Sequence, residues 1–468
     1  MKTYPKIIQG GMGVYVSGSP LTQAVSLNGQ QGTLSGTMLE RVLAFKLQMG
    51  DIGGDIRRAL SDFPFPNIKD MVLEKFFLEG GIKDKNKAMN NVPMFSINPP
   101  KILIALTICA NYAFVKLAKE GHSNPVSINY LEKVAMPHPY TITGAMLALN
   151  KNDFITMGAG MPFDIPQLIN SVYEWGIASY PIQVIGRTDK FVMRFNLNKF
   201  LGERPSNLEK PGFIPIISSD SLAKILKSRV PEGSISALAI ERTNEKGEPN
   251  AGGHNAGPRN KIEYGERDII NYSRIVDLGI PFYIGGATAS PEMLEWALSV
   301  GAQGIQAGSI FALSEESGMD PLIKAEVRKL GFNGQLDVKT DMVISPTGFP
   351  FKVVILNGTI SVVFIYESRT RICNKGGLVS LYEKEDGTIG YRCSAEPFDK
   401  FIAKGGKLEE AIGKGCLCNG LFSTVGMNSD IEPPIVTIGD DVSFLRKLMA
   451  NENSSYTAKD AIEYLIGS

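Results

Sequence analysis

Five glycine and alanine residues and one proline surround His254 in the stretch Ala251-Gly252-Gly253-His254-Asn255-Ala256-Gly257-Pro258, and His254 is one of three histidines in 468 residues. Glycine lets a backbone pass close to a flat ligand because it has no Cβ. A histidine held in such a loop is placed to take a proton or to orient a substrate near neutral pH. The same residues also suit a plain surface turn, so the meaning of the stretch depends on its surroundings. Those surroundings contain more glycine clusters, each ending a short apolar run: Gly10-Gly11-Met12-Gly13, Gly158-Ala159-Gly160, Gly285-Gly286 and Gly308-Ser309. The last two are about twenty residues apart, one strand-and-helix repeat. Backbone N–H groups at these positions, with the Ser309 hydroxyl, can donate to phosphate oxygens, as the loops after strands seven and eight of a barrel do.

The elements that must position these clusters alternate. Strand-like runs at 6–9, 32–35, 125–131, 153–157, 213–217, 235–240, 281–284 and 304–306 are separated by helical patterns, such as the one entered through Ser290-Pro291. Strands alternating with helices imply parallel βαβ units. Glycines at strand ends then share the C-terminal rim of a (β/α)8 TIM barrel, where active sites lie. A doubly wound open sheet would carry a dinucleotide fingerprint in its first turn; Gly10-Gly11-Met12-Gly13 lacks that spacing and no Walker-type loop is present. The expected organisation is a barrel over residues 1–335, with a helical insertion at about 37–125, and a C-terminal α+β extension over 336–468. In the insertion Leu39, Val42, Leu43 and Leu47 form a helical stripe, and extended chain is expected at 94–98. A hairpin is expected around Gly186–Asp189. In the extension, Asn357-Gly358 predicts a hairpin joining 351–356 to 360–366, Asp386-Gly387 predicts another turn, and helices are expected at 397–413, 440–450 and 457–466.

Composition narrows the function classes. Lysine plus arginine equals aspartate plus glutamate at 48 each, so nothing in the charge balance points to nucleic acid or an anionic membrane. The first residues contain no apolar signal segment, and the longest nearly apolar run, 102–115, is short for a bilayer and broken by Thr107 and Asn111. Five cysteines suit a reducing cytoplasm. Four of them, Cys373, Cys393, Cys416 and Cys418, have 19, 22 and 1 residues between them, which matches no metal-binding pattern, so no metal is expected. His122 and His138 read as loop residues, and Lys133 as a solvated lysine.

Taken together, Gly10-Gly11-Met12-Gly13, the His254 loop and the run from Ile284-Gly285-Gly286 to Gln306-Ala307-Gly308-Ser309-Ile310-Phe311 resemble the nitronate monooxygenase family, formerly called 2-nitropropane dioxygenase. Its layout is similar to that of flavin-dependent enoyl reductases of fatty acid synthesis. The resemblance runs in order over residues 1–330, and the extension lies beyond the usual family length. It implies FMN in the barrel mouth: Gly10, Gly11 and Met12 along the isoalloxazine ring, Asn129 contacting the flavin, and Gly285, Gly286, Gly308 and Ser309 around the phosphate with Gln306 beside it. It further implies His254 as the catalytic residue. Ala256 stands where the family often has glycine, and Ser309 replaces its usual threonine while keeping the hydroxyl. The implied reaction oxidises a nitronate or nitroalkane with O2 to a carbonyl compound and nitrite. An NAD(P)H-dependent reductase of an enoyl thioester or quinone, and a partner-dependent subunit of a larger complex, remain alternatives, and a homo-oligomer is compatible with all three.

Overall fold

A computed structural model describes residues 4–255, 264–427 and 432–467. Its centre is formed by eight parallel strands: β1 (Ile7–Gln9), β2 (Gly32–Ser35), β3 (Val126–Leu131), β4 (Phe154–Gly158), β5 (Gly212–Ile217), β6 (Leu238–Glu241), β7 (Phe282–Gly285) and β8 (Gly304–Ala307). Each pairs with the next in chain order, and β8 returns to β1 with Ile7 opposite Ile305 and Gln9 opposite Ala307. The circle closes between β1 and β2, where Ile8 bridges Gln31 and the Gln9 N–H donates to the Gln31 carbonyl at 2.9 Å. The fold is a (β/α)8 barrel. Its strands are covered on both faces, which is why they read as nearly continuous apolar runs. Ile8, Phe154, Ile214, Ala237, Ala239 and Tyr283 fill the interior as a core separate from the helix-facing one.

The insertion after β2 is helical: Leu39–Gln48, Asp55–Ser61 and Pro66–Phe76 precede Lys101–Ala118. By length and composition this last helix could cross a membrane, but 72% of it is buried in the fold. It packs on Ser19–Leu27 and His138–Met146, taking the place of the second barrel helix. Its two polar interruptions are satisfied locally. Thr107 Oγ1 donates to the Leu103 carbonyl at 2.7 Å, and Asn111 accepts from the Tyr130 hydroxyl at 2.7 Å. Residues 94–98 form no strand.

The hairpin around Gly186–Asp189 pairs Ile177–Ile182 with Phe191–Asn196. The short strand Val184–Ile185 beside it pairs with Ser380–Glu383 of the extension, which pairs in turn with Ile389–Arg392 across the Asp386-Gly387 turn. The expected 351–356/360–366 hairpin does not form. Phe351–Ile355 pairs instead with Asp337–Asp341, and Val363–Ser368 is helical. The reason is competition for the strand edge: the Val354 N–H donates to Val436 O and that of Ile360 to Pro434 O, both at 2.9 Å. The helix expected at 397–413 splits into Phe398–Ala403 and Leu408–Ala411 because Gly405, at φ +74°, ends the first. Leu417–Thr424 is a helix the pattern does not announce, and 440–450 shortens to Leu445–Leu448.

The last helix, Ala458–Ile466, falls where its pattern places it. Thr457 caps it, exchanging hydrogen bonds with Asp460. It buries Ala458, Ala461, Ile462 and Leu465 and bridges the first barrel helix, Ser19–Leu27, to the seventh, Pro291–Ser299. The extension thus supplies a member of the barrel's outer ring. Leu465→Ala is expected to cost about 2–5 kcal/mol of stability, as for other fully buried leucines, measured by urea unfolding. A loss below about 1 kcal/mol would show that the helix end is peripheral.

Candidate functional site

The C-terminal ends of the strands open into a cavity of about 1360 Å³, its open mouth included. Gly10, Gly11, Met12, Asn129, His254, Gly285, Gly286, Gln306, Gly308 and Ser309 all line it. Residues 256–258 of the His254 loop, with Ala256, lie outside the described residues.

The β1 loop is shaped by Ser17, whose hydroxyl accepts from the Met12 N–H at 3.0 Å and donates to the Gly10 carbonyl at 3.1 Å. Gly11 packs so tightly on β3 that a Cβ would stand 2.7 Å from the Asn129 Cβ. The Asn129 amide is oriented by Thr156, whose hydroxyl donates to its Oδ1 at 2.9 Å. On β8, a Cβ on Gly308 would come 2.7 Å from the Met12 sulfur. Gly308 also caps the short helix Ser309–Ala312. The Ser309 oxygen accepts from the Gly439 N–H at 2.8 Å, so its own proton is left to donate. On β7, Gly286 turns at φ +93°, a conformation side chains rarely adopt. Met38, Ala159 and Ala287, which also line the cavity, hold left-handed backbone at φ +55°, +58° and +50°. Such strain concentrates at functional sites. The glycine-lined rim leaves room for a flat cofactor against bare backbone, with a neutral group of N–H and O–H donors at β7 and β8 suited to a phosphate.

The extension holds the histidine loop. Lys352 N–H donates to Gly253 O at 3.0 Å, Asn255 N–H to Pro350 O at 2.9 Å, and Gly253 N–H to the Thr437 hydroxyl at 2.7 Å. His254 Nε2 is 2.9 Å from the Ser345 hydroxyl, and its ring meets Phe351 edge-on at 5.0 Å. Burial, and secondarily the charge of Lys133, lower its pKa to about 3, so the imidazole is neutral across the working range of pH. Glu241 behaves oppositely. It ends β6, lines the cavity, and is pushed up to about 7 by burial, with Lys133 acting against that shift. The sequence reading ends this strand at Ile240 and passes over Glu241. The available signal was its place as the first ionisable residue after an apolar strand, on the rim where barrel chemistry occurs.

Two minor expectations change. Lys133 is not a solvated lysine: its ammonium donates to Ala159 O at 2.6 Å and lies 3.9 Å from the centre of the Phe349 ring. His138 is not a loop residue. It is buried at the start of His138–Met146, meets the Tyr180 ring edge-on at 4.8 Å, and burial lowers its pKa to about 4. His122 does lie in a loop, with Nε2 2.8 Å from Ala118 O. The extension adds walls that no glycine cluster signals, among them Phe351, Leu378, Leu417, Cys418 and Leu421. A second cavity lies alongside, sharing Thr37, Met38, Tyr130, Leu131, Val134 and Leu378 with the first.

Fold and site together define a (β/α)8 barrel with a glycine-lined cavity at its C-terminal rim. No protein-family sequence model and no curated protein matches the chain. Solved structures similar to it include FabK from Thermotoga maritima, at 14% identity over 99% of this chain and 92% of that one, with a TM-score of 0.47. Nitroalkane oxidase from Streptomyces ansochromogenes is similar at 12% identity over 100% and 96% of the two chains, with a TM-score of 0.48. The enoyl reductase domain of MlnA, from the macrolactin biosynthesis cluster of Bacillus amyloliquefaciens, is similar at 11% identity over 99% and 94%, with a TM-score of 0.45. At these identities and scores the likeness adds nothing to the barrel that the strand pairing already establishes.

Proposed function

We propose that the protein is an FMN-dependent oxidoreductase that converts nitronates or nitroalkanes and O2 into carbonyl compounds and nitrite. The observation that carries this reading is the single cavity into which β1, β3, β7 and β8 bring their glycines, Asn129 and Ser309, with Glu241 and His254 on the same rim. FMN, when bound, supplies the electron transfer, and the protein's part is binding, orientation and proton handling. The N–H groups around Gly285, Gly286 and Gly308 and the Ser309 hydroxyl would hold the phosphate, Gly10, Gly11 and Met12 would lie along the ring, and Gln306 and the Asn129 amide would offer polar contacts. Glu241, with a proton affinity near working pH, takes the α-proton of a neutral nitroalkane. His254, neutral, orients the substrate through hydrogen bonding rather than as the base. Phe351, Leu378, Leu417 and Leu421 of the extension give the cavity an apolar wall.

A second reading, NAD(P)H-dependent reduction of an enoyl thioester or quinone, is favoured by the adjoining cavity, which offers room for an elongated substrate. Anaerobic mixing separates the two. The purified protein is expected to be yellow, to release FMN rather than FAD on denaturation, and to lose its flavin colour with a nitronate but not with NADH or NADPH. Bleaching by a reduced nicotinamide without nitronate would establish the second reading, and a colourless protein that takes up no added FMN would overturn both.

A further inference from the structure

The second cavity is comparable in size to the first, about 1420 Å³ with its open mouth included. Glu40, Glu132, Lys133, His138 and Lys375 all border it. Three of these are answered within the fold. Lys133 is held by the Ala159 carbonyl and the Phe349 ring. Glu132 accepts from the Tyr180 hydroxyl at 3.1 Å. His138 Nε2 lies 3.3 Å from the Glu132 carbonyl, and burial keeps the ring neutral. Lys375 differs. It is 4% exposed, and among the described residues its ammonium forms no hydrogen bond and no salt bridge; the Phe422 ring stands 5.7 Å from it.

Its neighbours leave one charge unmatched. The Arg41 guanidinium donates to the Lys375 carbonyl at 3.1 Å, so two buried cations share this wall. Glu40, next to Arg41 in the helix Leu39–Gln48, supplies one buried carboxyl. Burial, and then the Arg41 charge, lower the Lys375 pKa to about 8, which still leaves it charged at neutral pH. Two cations against one carboxyl leave a single positive charge, and a buried charge without a counter-charge is costly. A ligand in the cavity can supply that counter-charge. One negative charge matches it, whereas a dianion would exceed it and would also face Glu40 and Glu132.

Between the two cavities the wall is apolar. Met38, Leu131, Val134 and Leu378 border both, while Lys375 borders only the second and Glu241 only the first. The chain carrying Lys375 and Leu378 packs on Met38 through Gly377, where a Cβ would stand 2.9 Å from the Met38 sulfur. Met38 is unbranched and adaptable, suited to shifting around a ligand. A molecule reaching from Glu241 to Lys375 therefore needs its reacting carbon at one end, an apolar chain beside these four side chains, and one negative charge at the far end.

We propose that the two cavities hold one substrate, a nitroalkane or nitronate on a long methylene chain whose terminal carboxylate is bound by Lys375. This rests on the nitronate chemistry proposed for the first cavity and names its substrate class. Lys375 is then a specificity-determining residue, touching the end of the substrate remote from the proton transfer.

Calorimetry on the purified full chain tests the site apart from the reaction, with decanoate and decanol as unreactive probes. Wild-type protein is expected to bind decanoate at least about tenfold more tightly than decanol, as a hydrogen bond to a charged group provides. Lys375→Met is expected to bind both alike, and Lys375→Arg to keep the preference. Exchanging an unmatched buried charge for an apolar side chain of similar volume is not expected to lower the unfolding temperature, so lost binding is distinguished from lost folding. In turnover, kcat/KM for ω-nitroalkanoates should rise with chain length above that of nitroalkanes of equal length, and Lys375→Met should remove this advantage. Equal binding of decanoate and decanol by the wild type, or a preference that survives Lys375→Met, would overturn the proposal even if nitroethane is oxidised. A decanoate preference lost in Lys375→Met, in a protein that oxidises no nitro compound, would keep the carboxylate site and strike the nitronate chemistry instead.

Discussion

Glu241→Gln is expected to lower turnover of a neutral nitroalkane by about 10²–10⁴-fold, the usual contribution of a general base, while a pre-formed nitronate loses no more than about tenfold. The glutamine keeps the shape of the side chain and removes its proton affinity. Only the neutral substrate needs its proton taken, so the loss should divide between the two forms of one compound, measured at one pH before they interconvert. The pH profile gives an independent check. Burial raises Glu241 from the ordinary carboxylate range to about 7, so the carboxylate that acts as base is populated only above that value. The wild-type rate on the neutral form should rise with pH through about 7 and then level, and this limb should vanish in the variant. His254→Asn is expected to affect both substrate forms alike, because an imidazole with a pKa of about 3 is a poor proton acceptor at neutral pH. Selective loss of the neutral substrate in His254→Asn, with Glu241→Gln unaffected, would return the base to His254. No effect of either change would place the chemistry elsewhere.

Gly308→Val is expected to leave the fold intact and abolish flavin retention. At φ −110° and ψ −61° Gly308 holds a conformation open to other residues, so the backbone does not forbid the change. What the new Cβ meets is the end of a flexible side chain, the Met12 sulfur 2.7 Å away. Met12 must give way, and it borders the space that a flavin would fill. The variant should unfold at the wild-type apoprotein's temperature yet come through purification colourless. Full flavin occupancy would remove Gly308 from the cradle. Loss of the apoprotein's folded state would instead mark it as a packing glycine.

The barrel was legible because its strands are short, apolar and separated by helical periods, a pattern that survives whatever the loops do. The cavity's glycines were legible for a related reason: bare backbone at a strand end leaves a compositional trace. Glu241 leaves only its place as the first ionisable residue after the apolar strand, which any strand terminus can share, and its shifted affinity comes from burial. The extension was the hardest part to read. The turn at Asn357-Gly358 suggests local pairing, but residues 434–436 and Asp337–Asp341 take the two edges of Phe351–Ile355. Contacts such as the Arg41 guanidinium donating to the Lys375 carbonyl exist only once residues hundreds of positions apart are side by side.

The final helix has a consequence for how the chain comes to be folded. Ala458–Ile466 rests on Ser19–Leu27, so an apolar stripe on the first helix made waits for nearly the last residues described. At typical synthesis rates of 5–20 residues per second, that wait lasts roughly 20–90 s. For that interval the nascent barrel presents an uncovered seam, and such transiently exposed surface makes folding intermediates prone to aggregation. A ribosome-stalled chain ending before residue 458 should therefore bind holdase chaperones through Ser19–Leu27 and Pro291–Ser299, and release of the complete chain should end that dependence.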